Sequence, residues 1–429
     1  MARAAALCLA LALAWLLGRA APPEAAFRVT ALAVGVALVA AALVGRLVER
    51  VGLPRVTGYL LFGLVCGPYL ANIITRPMAR ELQIVNGLAV TLVAFVAGLE
   101  MNMRRLAPRL GVIARVGGVT IALTYVLLFA VLWAGWPWLH IAPQFTGLQR
   151  AAAAALLTAL VASFSPTVSI AVVAEARSAG PFTELTLAIV ILADLVLILA
   201  FTIIMQLVRV AFGGATDIGL FAGVTWEIFG SFALGALAGS LFALYLAYIG
   251  REVAIAVIGF CAIVAGIAGR LQLEPLMAAL AAGLVLENLA PSAGDLVKQG
   301  VERSALPVLV VFFAAAGASL QLDALATLGW IAAAIAAYRM IAIWASARLG
   351  RAAAGLSDDV SSMTWMALVS QAGVTLGLTL IVQTELPGWG ATVATLMLAL
   401  IALHQLIGPV LYRAALARAG EVGRLDSRA

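Results

Sequence analysis

The chain has 429 residues, 64% hydrophobic and 11% charged, with a mean hydropathy of +1.12 and a formal net charge of +6. A water-soluble domain carries about 25% charged residues and about 45–50% apolar ones, so this composition excludes one and requires a polytopic membrane protein. The basic residues are scattered at segment ends, which excludes a nucleic-acid surface, and two histidines, His140 and His404, exclude a His-rich metal site.

Residues 1–26 hold a first apolar stretch over about 4–18, preceded by Arg3 and followed by "GRAAPPEA"; this reads as a signal peptide or an extra helix. Thirteen longer segments follow, at about 27–49, 51–75, 82–100, 110–134, 150–173, 182–208, 226–249, 252–269, 275–290, 304–325, 328–349, 360–383 and 391–413. The predicted fold class is an all-α polytopic membrane protein of 13 transmembrane helices, or 14 with the first stretch. Residues 414–429 form a short tail. With that tail inside, alternating loops put 18 of the 26 Lys and Arg residues on the inner side. The loops "LWAGWPWLH" and "ELPGWG" then share the outer side. Such a chain is expected in a bacterial inner (plasma) membrane, in contact with lipid, with its C-terminus cytoplasmic. Glu287 and Asp323 are read as solvated at segment ends.

The chain resembles itself. "GLPRVTGYLLFGLVCGP" and "QLEPLMAALAAGLVLEN" each open on a proline, Pro54 or Pro275, and run to "GLV". "AFVAGLEMNMRRLA" and "FFAAAGASLQLDALA" align Gly98 with Gly317. The repeats are 27–208 and 252–413, with 226–249 as a linker helix. An odd number of crossings separates them, so the second copy is inverted, the build of secondary transporters.

Two segments are interrupted. "ALVASFSPTVSIAVVAEA" carries Pro166, which removes a backbone donor, among the hydroxyls of Ser163, Ser165, Thr167 and Ser169. In the second repeat, "WMALVSQAGVTLGLTLIV" is interrupted by Ser370, Gln371, Gly373, Thr375 and Gly377. Helices broken at matching depth point to a midplane ion site, because unwound backbone is tolerated only beside a cavity or inside protein. The alternative is a proline kink and a glycine packing face.

The next segment, "TLAIVILADLVLILAF", holds Asp194, which costs roughly 3 kcal/mol to place at a bilayer centre. Ionised, it can bind a monovalent cation with the hydroxyls of Ser165 and Thr167; protonated, it is neutral. Competition of H⁺ and cation for one carboxylate is enough for exchange. Arg339, the second intramembrane charge, is read as charge-compensating, with Asp194 as the candidate partner. His404 is read as a packed polar residue.

"LPRVTGYLLFGLVCGPYL", "AFVAGLEMNMRRL", "SFSPTVSIAVVAEARSAGPFTELTLAIVILADLV" and "QAGVTLGL" together resemble the membrane domain of monovalent cation:proton antiporters, second family, of sodium/hydrogen exchanger type. The resemblance covers 27–413. It implies crossed broken helices, a six-helix core, a dimerisation domain and hence a homodimer. It implies an ion-binding Asp194 and a basic Arg339, with Na⁺ or K⁺ and H⁺ as partners, no cofactor and no enzymatic reaction. The chain departs from the family in Ala193, where a polar residue is common, and in "SPT", where some relatives carry an acid. The competing expectation is a sodium-coupled organic-anion symporter of similar build, with Arg339 holding the anion.

Overall fold

The computed structural model describes residues 35 and 37–424 except 51–52, 140, 213–217, 251, 319, 321, 357–360, 372 and 387. The first apolar stretch at 4–18 therefore lies outside the described residues. Among the described residues every regular element is helical. Leaving aside the single turn Met103–Leu106, the α-helices in chain order are α1 Ala42–Glu49, α2 Arg55–Cys66, α3 Arg76–Glu100, α4 Leu110–Gly135 and α5 Gly147–Ala162. They continue with α6 Pro166–Ala176, α7 Pro181–Ala211, α8 Ile218–Tyr248, α9 Val253–Leu271 and α10 Pro275–Leu289. The last five are α11 Pro291–Ala318, α12 Leu322–Ala353, α13 Thr364–Ala367, α14 Gly373–Glu385 and α15 Gly390–Arg418.

Seven described stretches are long and apolar enough to cross a bilayer: Ala107–Leu139, Gly147–Ala176, Pro181–Ala211, Thr225–Tyr248, Val253–Leu271, Gly329–Ala353 and Gly390–Arg418. Four shorter apolar helices, Arg55–Cys66, Leu88–Leu99, Pro275–Leu289 and Val374–Gln383, fall below that length. Two helices begin earlier than hydropathy alone expects. Arg76 and Pro77 open α3 behind Thr75, and Pro291 starts α11, both through polar turns that carry no hydropathy signal. Glu287 is a correction: it is 7% exposed, and its Oε1 accepts from Asn102 Nδ2 at 3.4 Å, so a neighbouring side chain replaces solvent. The side chain of Asp323 lies outside the described residues.

The chain divides into two compact units, 1–102 with 228–320, and 103–227 with 321–429. In the first unit α10 packs on α3 and α11 packs on α2. Both crossings are backbone-tight. A Cβ at Gly63 would land on the carbonyl of Ala314, and one at Gly317 on the carbonyl of Leu60. In the other crossing, a Cβ at Gly283 would land on the carbonyl of Phe95 and one at Gly98 on that of Leu280. Small residues let helix backbones approach where lipid supplies no hydrophobic drive for association.

In the second unit α4 packs on α12 and α5, α12 packs on α15, and α7 packs on α4, α5, α6 and α13. The stretch Gly147–Ala176 is buried along its whole apolar window, so it is the interior of this unit. At one end Trp136 lies 6.4 Å from Trp389 and 6.4 Å from Phe145 between ring centroids, so the two tryptophan loops share an end as the sequence requires.

Candidate functional site

Both interruptions are real breaks, and each has a local cause. α5 stops at Ala162, and Ser163 and Ser165 are extended, with φ/ψ of −63/149° and −114/105°. The residue before a proline is pushed out of the helical region, which accounts for Ser165. Helix resumes at once because Pro166 occupies its first position, where no N–H is needed. The Ser165 hydroxyl caps the new helix by accepting from Val168 N at 3.3 Å. At the second interruption α13 ends at Ala367 and α14 starts at Gly373, with no proline between. Tertiary partners hold that gap open instead.

The two gaps cross. Ser165 N donates to the carbonyl of Ser370 at 2.9 Å, and the Ser163 and Thr375 hydroxyls meet at 2.6 Å. Ser169 Oγ donates to the carbonyl of Ala367 at 3.2 Å. Gln371 reaches across the crossing: its Nε2 lies 2.9 Å from the carbonyl of Val161, 3.2 Å from that of Leu160 and 3.3 Å from that of Ser163. All these partners are acceptors, which fixes the orientation of the amide. Gln371 Oε1 then accepts from His404 Nδ1 at 3.0 Å, so His404 carries its hydrogen on Nδ1. His404, read from sequence as a packed polar residue, is thus the support that aims Gln371. Its lone intramembrane imidazole was visible in the sequence, but its partner was not.

Arg339 is fully buried on α12, and the structure gives its guanidinium a set of carbonyl partners. Nε donates to Val161 O at 2.7 Å, Nη1 to Val369 O at 2.6 Å, and Nη2 to Ser163 O at 2.7 Å and Leu368 O at 3.3 Å. The Phe164 ring centroid is 5.6 Å from its Cζ. Val161 and Ser163 stand at the C-terminal end of α5, Leu368 and Val369 at that of α13. Each helix end leaves carbonyls without an intrahelical partner and with partial negative charge, so one cation serves both facing sets.

Asp194 lies on α7 and is 3% exposed. Its helix packs on α5, α6 and α13, the elements flanking both gaps. α6 and α7 are joined by the turn 177–180. Ser165 lies eleven residues before Ala176 and Asp194 thirteen after Pro181, which is about 17 and about 20 Å of helical rise from that turn. The carboxylate and the first gap thus lie at similar depth. Ser165, Thr167, Ser370, Gln371 and Thr375 are all buried. Pro166 and Gly373 occupy the first positions of the two resumed helices. Among the described residues no group of three His, Cys, Asp or Glu side chains is poised to hold a resident metal.

A membrane unit built on two broken helices with a buried acid beside them is the architecture of an ion transporter. The family model for the sodium/hydrogen exchanger transmembrane domain matches residues 35–414, and the chain belongs to that family, whose members are transporters rather than enzymes. The sodium proton antiporter MjNhaP1 from Methanocaldococcus jannaschii at pH 8 is similar in fold, with a TM-score of 0.67 at 18% identity over 94% of this chain and 99% of that one. An electron-microscopy structure of the same antiporter gives a TM-score of 0.68 at 16% identity over 92% and 96% of the two chains. No curated protein matches the sequence at a significant level.

Proposed function

We propose that the chain is a secondary antiporter that exchanges a monovalent cation, Na⁺ or K⁺, for protons by alternating access. Asp194 binds either ion, with the Ser165 and Thr167 hydroxyls and the unwound backbone as further oxygen ligands. One observation carries the reading: a carboxylate only 3% exposed lies on the helix that packs against both broken helices. A carboxylate buried that deeply is retained only where a counter-ion or a proton neutralises it. The full reading includes 13 crossings, inverted repeats, a homodimer, an inner-membrane location and an inside C-terminus. The glycine crossings support the repeats: the approach of Gly63 to Ala314 recurs at the matching positions Gly283 and Phe95, and that of Gly98 to Leu280 recurs at Gly317 and Leu60.

The symporter reading needs a guanidinium free to hold an organic anion. The bonds of Arg339 run to four backbone carbonyls instead, which favours the antiporter. The test is proton release from the lumen of acidified inside-out vesicles when Na⁺, K⁺ or Li⁺ is added. Release with at least one cation is expected; none with any of the three refutes the antiporter.

A further inference from the structure

The segment after α15 reads from sequence as a short tail, yet its Glu421 is 3% exposed. Its Oε1 accepts from Phe182 N at 2.9 Å, and its Oε2 from Thr183 N at 2.8 Å and Thr183 Oγ1 at 2.7 Å. Its backbone carbonyl accepts from Ala179 N at 3.3 Å, and Gly423 N donates to the carbonyl of Ala176 at 3.0 Å. The corner between α6 and α7 is shaped to receive the tail. Arg177 is left-handed at φ 47°, and Gly180 has φ 159°; a Cβ at Gly180 would fall on the Glu421 carboxylate.

Phe182 and Thr183 are in the first turn of α7, where helix N–H groups have no internal partner and the dipole is positive. The residue before the helix, Gly180, has no side chain to cap it. The cap comes from 239 positions away in the chain. One turn further along, Thr186 Oγ1 meets Tyr412 Oη at 2.6 Å, so α15 and its tail hold α7 at two levels.

We propose that Glu421 is a positioning residue for exchange, a clamp on the corner from which both halves of the ion site extend. This inference rests on the antiporter reading. α6 runs from the corner to Ser165 and Thr167, and α7 runs from it to Asp194. A helix transmits an axial displacement of its first turn along its length, so a loosened corner changes the depth of Asp194 relative to the hydroxyls. The first quantity to suffer is cation affinity; the rate of the conformational step is less affected.

The test compares wild type with E421A and E421Q in two measurements. In hydrogen exchange on the purified protein, the amides of Phe182 and Thr183 are slow in wild type and faster by an order of magnitude in E421A. In proteoliposomes, E421A raises the apparent KM for the cation several-fold with the maximal rate within a factor of two. E421Q, which keeps the acceptor shape but loses the charge, falls between the two. Where E421A does not fold, E421Q carries the measurement. An unchanged KM beside a lowered Tm makes Glu421 structural only and overturns the clamp, as do unchanged amide rates in both variants. Wild type without cation-driven proton flux refutes the antiporter reading itself, whereas wild-type flux with an unaltered KM in the variants refutes the clamp alone.

Discussion

At the scale of single residues, the buried guanidinium of Arg339 has its hydrogen-bond partners on the backbone. Arg339 serves four carbonyls at the ends of two half-helices. Charge-assisted hydrogen bonds are each worth about 1.5–3 kcal/mol, and orphaned buried carbonyls add their own desolvation cost. Arg339→Ala is therefore expected to cost at least about 3 kcal/mol, read as a fall in Tm of the detergent-solubilised protein. If Arg339 compensated Asp194, the partner that the sequence offers, adding Asp194→Asn would restore stability by removing an unbalanced pair. The carbonyl contacts lead to the opposite expectation, additive effects in the double-mutant cycle. Recovery of stability in the double variant would show that the two charges are directly coupled. Gln371 gives a second test at this scale. Gln371→Leu leaves His404 Nδ1 without its acceptor and takes one of the donors from the α5 carbonyls, whereas His404→Gln can still donate to Gln371. Gln371→Leu should lower Tm by more than His404→Gln does.

At the scale of elements, both breaks are read from the sequence, but only the first carries its own cause there. "SFSPTVS" contains its own cause, since Pro166 ends one helix and starts the next. "VSQAGVT" contains no proline, and its opening depends on Arg339 and Ser165, residues distant in sequence. Local pattern cannot encode a carbonyl whose donor arrives from another helix. Two different outcomes follow for the first break. Pro166→Ala alone should leave cation KM nearly unchanged, because the Ser165 cap and the bond from its N–H to Ser370 keep the helix interrupted. Ser165→Ala with Pro166→Ala removes cap and proline together and should raise KM clearly. A large effect of Pro166→Ala alone would mean that the proline by itself maintains the break. The helix crossings of the first unit are equally testable. Gly317→Val would drive a side chain into the backbone of α2, and overpacking costs about 1–3 kcal/mol even where side chains can yield. A carbonyl cannot yield as far, so loss of folded protein on size-exclusion chromatography is expected. Gly259→Ala, which meets nothing within 4 Å, should leave the elution profile as in wild type.

At the scale of the whole molecule, the sequence displayed the fold class, the interrupted helices and Asp194, because each rests on hydropathy or on a residue that is costly in a membrane. It also displayed the self-similarity near an offset of 220, although not what it builds. Each compact unit takes helices from both halves of the chain, and the contact of Gly63 with Ala314 has its counterpart in that of Gly283 with Phe95. Glu421 was illegible, because a glutamate in a polar tail looks solvated until the corner it caps is known. The central claim concerns Asp194, and Asp194→Asn tests it most directly. The amide keeps the shape and removes the titrating charge, so the variant should fold with a Tm at or above that of wild type. Reconstituted in proteoliposomes, it should show no cation-dependent proton flux with Na⁺, K⁺ or Li⁺ under conditions where wild type exchanges. Flux at the wild-type rate in a well-folded Asp194→Asn protein would contradict the account.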